Sequence, residues 1–226
     1  MNIHEVITDD RVFAQFYILR DGYEFKPLTH PANIYDAIVI KNPPNPSCGF
    51  FKSVTMKHSL SEQIDLVNRL KLEKAIVIAE DISFITQCPT LRHLKIIPAD
   101  SVGDDFDFSP LYEMSNVKSL SCTNQHGYRE QYLSKIDYSR IHGLVNLGVS
   151  VNKGTLNFNK VETLKTFAVS AFKGSNHDLT DLYCSKELDT LRMIQCGIYS
   201  LNGIEISKKC SVYIFTTVGS YMISVH

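Results

Sequence analysis

Seven short segments of this 226-residue chain carry apolar residues at their first, fourth and sixth positions, and they recur every 19–27 residues. They are Leu72-Ala75-Val77, Leu91-Leu94-Ile96, Val117-Leu120-Cys122, Leu144-Leu147-Val149, Leu164-Phe167-Val169, Leu188-Leu191-Met193 and Cys210-Tyr213-Phe215. The fourth and sixth positions are two apart, so on an extended strand they point to the same side. A one-strand coil can bury that side only against its neighbours, which makes the pattern that of a stacked repeat. Strands are expected near residues 75–78, 94–97, 120–123, 147–150, 167–170, 191–194 and 213–216. An ordinary α/β domain would instead show longer crossovers and more continuously apolar strands.

Over residues 70–218 the segments resemble the leucine-rich repeat family, whose pattern is L-x-x-L-x-L-x-x-N/C-x-L. The first six positions match. At the Asn/Cys position only Asn152 and Cys196 conform, while Glu80, Ala99, Gln125, Phe172 and Val218 stand there in other coils. Uneven turns of this kind are similar to those of bacterial members of the family. The resemblance implies an α/β solenoid with a curved parallel sheet and short convex helices. It also implies recognition of another protein in place of catalysis. The segments between strands suit the convex side. Ser109-Pro110 offers an N-cap and a proline at the first helical position ahead of Leu111 and Met114. Asp81 can cap a short helix carrying Ile82 and Ile85, stopped by Pro89, and Leu179, Leu182 and Tyr183 form a further apolar stripe, as do Leu201 and Ile204.

The N-terminal third departs from the repeat. Phe13–Leu19, Asp21-Gly22 and Tyr23–Phe25 read as a β-hairpin, since Asp-Gly supplies the positive φ angles of a tight turn. Ala37–Ile40 and Phe50–Met56 read as two further strands around the proline-rich loop 42–48. Ser59 and Glu62 form a capping box ahead of Leu60, Ile64 and Val67 at helical spacing. Residues 1–70 are therefore expected to form a β-rich cap with one helix, and residues 71–226 the solenoid. A separate functional module in the first 58 residues is the alternative.

Several function classes find no support in the residues. The formal net charge is −1, without the basic excess that nucleic-acid binding usually leaves. There is no apolar run of membrane-spanning length and no secretory leader pattern at the N-terminus, so a cytoplasmic location is expected. Cys48, Cys88, Cys122, Cys184, Cys196 and Cys210 include no CxxC pair, and reduced thiols buried as small apolar groups are expected, with Cys122 inward on its strand. The sequence has no phosphate-binding glycine loop, no dinucleotide fingerprint, no G-x-S-x-G and no H-E-x-x-H. Neither a cofactor, a metal nor a small-molecule substrate is expected.

Two surfaces emerge as candidate contacts for a protein partner. The first is an acidic loop edge, Glu80 and Asp81 with Asp100, Asp104, Asp105 and Asp107 of the next coil. Stacked coils bring such loops side by side, where they form either a solvated edge, a dock for a basic partner or a metal site. The second is the concave face, read from the third, fifth and seventh positions. Its middle strands carry small residues, and Ile76, Ile78 and Ile97 give it an exposed apolar end beside His93 and Lys95, with Arg192 further along. The resemblance to small bacterial repeat proteins suggests an immunity protein that neutralises a toxin, with an adaptor or structural subunit as the alternative. An enzyme with its site in residues 1–58 is a third, but no nucleophile–base or carboxylate pair can be assembled there.

Overall fold

The computed structural model of the chain describes residues 17–20, 24–27, 37–44, 56, 58–102, 106–122, 135–151, 155–182, 186–203, 210–216 and 219–224. The chain forms two compact units, Met1–Asn116 and Val117–His226. Taken over the described residues the chain is α/β, with mostly parallel strand pairing and few helices.

In the first unit, β1 (Tyr17–Arg20) and β2 (Glu24–Pro27) form an antiparallel hairpin, as the Asp-Gly turn suggested. β1 also pairs antiparallel with β3 (Ala37–Asn42). β3 then pairs parallel with β4 (Lys74–Ala79), and β4 with β5 (His93–Pro98). The repeat register thus begins one strand earlier than the sequence pattern indicated, with Ile38 and Ile40 beside Ala75 and Val77. The proposed strand Phe50–Met56 falls almost wholly outside the described residues.

Helix α1 (Leu60–Leu70) links β3 to β4. Its start is fixed by the capping box: the Ser59 Oγ accepts from the Glu62 N–H, and the Glu62 carboxylate accepts from the Ser59 N–H. The helix buries Ile64, Leu66, Val67 and Leu70, together with one polar side chain, Gln63. That glutamine accepts from the Lys41 N–H at 2.9 Å and donates to the Lys41 carbonyl at 3.0 Å. Among the described residues β1 pairs with β3 at Ala37 and Ile38, and further along the Gln63 amide bonds both backbone groups of Lys41.

The segment after β4 is a 3₁₀ turn, Ser83–Gln87, and the one after β5 is a single helical turn, α2 (Pro110–Glu113); the two pack together. Pro110 occupies the first turn, as expected, but Ser109 does not cap with its side chain. Asp107 takes that role, accepting from the Ser109 N–H at 2.8 Å and from its hydroxyl at 2.7 Å.

In the second unit, β6 (Ser119–Cys122), the short β7 (Ile136–Asp137), β8 (Asn146–Ser150), the short β9 (Thr155–Leu156), β10 (Thr166–Ser170), β11 (Thr190–Ile194), β12 (Ser211–Thr216) and β13 (Gly219–Ser224) follow in order. β6, β8, β10, β11 and β12 are parallel neighbours in that sequence, β13 closes antiparallel on β12, and β7 pairs with β9 in a second small ladder. Leu120, Leu147, Phe167 and Leu191 line up across the sheet, followed by Cys122, Val149, Val169 and Met193. All but Cys122 are buried, and each such leucine or phenylalanine contributes roughly 1.5–3 kcal/mol on leaving water.

One coil breaks step. The sequence pattern placed Tyr213 and Phe215 inward, yet Val212 pairs with Leu191 and Ile214 with Met193. Cys210 is buried at the first position as expected, but one residue is missing between it and the strand. A slip of one residue turns a strand over, so Val212 lies in the core instead of on the outward face.

A backbone contact repeats with the coils. In the second unit the N–H groups of Val145 and Asn146 both donate to the Lys118 carbonyl, at 2.8 and 3.0 Å. Lys165 and Thr166 donate likewise to Val145, and Asp189 and Thr190 to Lys165. Arg92 and His93 do the same to Glu73 in the first unit. Each accepting carbonyl sits at the second position of its coil, where its two lone pairs receive two consecutive donors from the next.

Candidate functional site

Half-buried, mostly polar side chains run in rows along the outward side of β6, β8, β10 and β11. Ser119 and Ser121 stand beside Asn146 and Gly148, which stand beside Thr166 and Ala168, then Thr190 and Arg192. Ser150, Ser170 and Ile194 form a third row. The small side chains are half-buried, whereas Arg192 and Ile194 are exposed, Ile194 at 43%. Neighbours in a row bind one another: the Asn146 amide donates to Ser119 Oγ at 2.9 Å, and the Ser150 and Ser170 hydroxyls are 2.7 Å apart. Gly148 keeps the surface low, because a Cβ there would lie 3.3 Å from Ser121 Oγ. The result is a largely polar face with one cation and one apolar side chain exposed at its β11 end.

A second exposed feature belongs to the turns after β10 and β11. His177 and Tyr199 stack with ring centroids 5.0 Å apart, and Tyr199 is 86% exposed. The His177 Nδ1 lies 2.8 Å from the Gly197 carbonyl, and since a carbonyl only accepts, Nδ1 carries the proton. Sequence reading missed this pair because it joins residues 22 apart in loops that lack apolar periodicity.

The apolar end expected from Ile76, Ile78 and Ile97 is not an exposed patch. These residues are 3%, 0% and 9% exposed, and Val39 and Lys41 beside them on β3 are 0% and 1%. Five consecutive residues of β4, Ala75–Ala79, are buried, so both faces of the sheet are covered here. His93 and Lys95 are half-buried on the same face as Ile76. Burial lowers the pKa of both. At His93 the positive charge of Lys74 adds to that effect, Glu73 opposes it and Arg92 reinforces it.

The acidic edge is divided among different tasks. Asp104 and Asp105 lie outside the described residues. Glu80 and the turn carrying Asp100 are brought together, for the Ser101 hydroxyl donates to Glu80 Oε1 at 2.6 Å and the Ala99 N–H to the Ala79 carbonyl at 2.8 Å. Asp81 and Asp107 serve their own turns. Asp81 accepts from the Ser83 N–H and hydroxyl as Asp107 does from Ser109, and those bonds hold the Asp107 carboxyl below its ordinary pKa. Asp137 with Ser139 and Asp178 with Thr180 repeat the arrangement, each time with a buried residue between: Ile82, Phe108, Tyr138 and Leu179. The signal was present in the sequence as Asp-apolar-Ser/Thr, recurring once in each of four coils, and it explains two of the six carboxylates as turn formers. Among the described residues no group of three or more His, Cys, Asp or Glu side chains could hold a metal ion.

Cys88, Cys122, Cys196 and Cys210 are free thiols. Cys122 is half-buried by area, less than expected, yet burial of its sulfur pushes the thiol up to about 12 against a lowering hydrogen bond with Tyr138. Cys196 occupies the Asn/Cys position of its coil. Its Sγ lies 3.5 Å from the Val169 carbonyl of the preceding coil and the same distance from the Ile194 carbonyl of its own. No helix among the described residues is long and apolar enough to cross a membrane. The chain matches no family model, no curated protein and no solved structure.

Proposed function

We propose that this chain is a non-catalytic recognition module of the leucine-rich-repeat type, which binds another protein through the outward face of β6, β8, β10 and β11. The observation that carries the reading is that face. Its rows of small side chains stand in strict register, with Asn146 bonded to Ser119 and Ser150 to Ser170 across neighbouring strands, and end in exposed Arg192 and Ile194. Side chains fixed before contact lose little entropy on binding, and an arginine beside an aliphatic anchor suits an interface core. The Cys196 bond to the preceding coil and the doubled acceptor at each coil's second position support the repeat assignment. The form of recognition proposed is immunity, the capture and neutralisation of a toxin domain in the cytoplasm. With Asp81 and Asp107 committed to their own turns, the acidic edge supports a basic partner less than the face supports a polar one.

The test is affinity capture from the native host with the wild-type chain and with an Arg192→Glu/Ile194→Asp variant. The captured protein should then be titrated against both. At least about tenfold weaker binding by the variant, at unchanged melting temperature, is expected for a central anchor pair. Equal affinities would remove this face from the interface. Co-expression with the captured protein then tests immunity: the wild-type chain should restore growth if the partner is toxic.

A further inference from the structure

The two units end their strand ladders differently. In the first, the terminal strand β2 is four residues long and reads Glu-Phe-Lys-Pro, with charges at Glu24 and Lys26 and a proline at Pro27. Brevity, charge and proline are ordinary means by which an edge strand is kept from pairing with another chain. In the second, the terminal strand β13 is six residues long and reads Gly-Ser-Tyr-Met-Ile-Ser, with neither a charge nor a proline. It pairs with β12 along its whole length, from Gly219 opposite Thr216 to Ser224 opposite Ser211. Among the described residues no strand pairs with its other side. Alternate residues of an antiparallel strand turn both backbone groups away from the neighbour, so that side carries a row of donors and acceptors. A further extended strand matches such a row throughout.

The residue order of β13 is nearly symmetric about Met222. Set antiparallel against itself there, the strand places Ser220 opposite Ser224, Tyr221 opposite Ile223, and Met222 opposite its own copy. Hydroxyl against hydroxyl and aromatic against β-branched are favourable cross-strand pairs. This register also continues the sheet. Buried Val212 pairs with Ile223, and Ile214 with Tyr221, so Tyr221 and Ile223 hold the inward register positions of β13. Across the new ladder inward positions again meet inward ones, whereas a slip of one residue would set them against outward ones.

We propose that β13 is the contact through which two copies of this chain pair, antiparallel and edge to edge, about a two-fold axis at Met222. The same row of backbone groups on each copy satisfies the other, an isologous contact that closes at two subunits. The outward faces of the two second units then lie on the same side of one continuous ladder. The dimer does not rest on the protein-binding reading, since it uses the strand edge and a second copy of the chain.

Size-exclusion with light scattering on the full chain, from micromolar to millimolar, should show a monomer–dimer equilibrium. Met222→Lys sets two ammonium groups against each other at the axis and should weaken dimerisation at least about tenfold, at unchanged melting temperature. Met222→Glu should do the same. An equimolar mixture of the two variants should dimerise again, because unlike charges then meet, which sets a folding defect in either one aside. Met222→Cys should form a disulfide-linked dimer on mild oxidation, since directly opposed Cα atoms of an antiparallel pair are about 4.5–5.5 Å apart. Lys165→Cys, at an exposed position of the same unit, should crosslink no faster than the wild type. A chain that stays monomeric at every concentration, or a dimer that neither charged variant weakens, would overturn the proposal. A Met222→Cys chain that crosslinks no faster than the wild type would overturn the register.

Discussion

Replacing Phe167 with alanine should cost about 3–5 kcal/mol of folding stability. The ring is fully buried, flanked in register by Leu147 and Leu191. It also lies 5.9 Å from the Phe158 ring, which in turn meets Phe172 edge-on at 6.3 Å. Emptying such a site forfeits the transfer free energy of the ring and leaves a cavity that its neighbours fill only in part, the origin of the 3–5 kcal/mol range. Loss of the aromatic contact accounts for roughly 0.5–1.5 kcal/mol within that range. Against a total stability of about 5–15 kcal/mol this is a large fraction, equivalent to a melting-temperature drop of roughly 6–20 °C for a chain of this size. The neighbouring substitution Ala168→Ser is the control. Ala168 is half-buried on the outward face, and its replacement should change stability by no more than about 0.5 kcal/mol. Urea unfolding followed by circular dichroism gives both values from the midpoint and slope. A cost below about 1 kcal/mol for Phe167→Ala, or a larger cost at Ala168, would mean that β10 is turned over and the register is wrong.

Gly203 has φ +94°, and a Cβ there would stand 2.7 Å from the Leu179 carbonyl carbon and the Thr180 nitrogen. Gly203→Ala should therefore destabilise by about 2–4 kcal/mol, strain and overlap together, read as a fall in melting temperature; a change under about 1 kcal/mol would contradict that turn. Asp107 and Asp181 are held below the ordinary carboxylate pKa of 3.8 by hydrogen bonds from Ser109 and Ser175, and Asp137 is lowered because bonds from Ser139 and Asn157 outweigh its desolvation. Groups with a depressed folded pKa give stability that is complete above the unfolded value and lost as pH falls through the folded one, so the urea midpoint should drop below about pH 4. Asp137→Asn should show a shallower acid drop, and an unchanged pH profile would refute its part. The Cys88 and Cys122 thiols, raised by burial to about 11 and about 12, should resist alkylation at pH 8 until urea unfolds the chain, as site-resolved mass spectrometry would show. Rapid native labelling of Cys122 would contradict the placement of its sulfur.

The strands were legible because burial on one side writes a period into the chain, and Leu94, Leu147 and Leu191 could be aligned without coordinates. The register of β12 was not, because Cys210 satisfies the first position while the missing residue before Val212 leaves two alternating sets, Tyr213 with Phe215 and Val212 with Ile214, equally apolar. Periodicity states which side chains share a side and is silent on what covers the other. Hence Ile76 and Ile78 read as exposed, although the unbroken apolar run Ala75–Ala79 already had the composition of a strand buried on both faces. The acidic edge was overread for a related reason. A carboxylate two residues before a serine or threonine forms a turn with it, and that local use precedes any partner. Of the polar face, the residues were legible from the register, whereas its lateral hydrogen bonds and the His177–Tyr199 stack depend on side-chain geometry.

Site-specific photocrosslinking in the native host tests whether the outward face of the second unit is a protein interface. A photoreactive amino acid is placed in turn at Ser150, Ala168 and Ile194 on the face, and at Ser139, Arg140 and Lys160 on exposed turns of the same unit. One and the same protein should be crosslinked from the three face positions and not from the turns. Crosslinks from the turns alone, or none from the face, would contradict it.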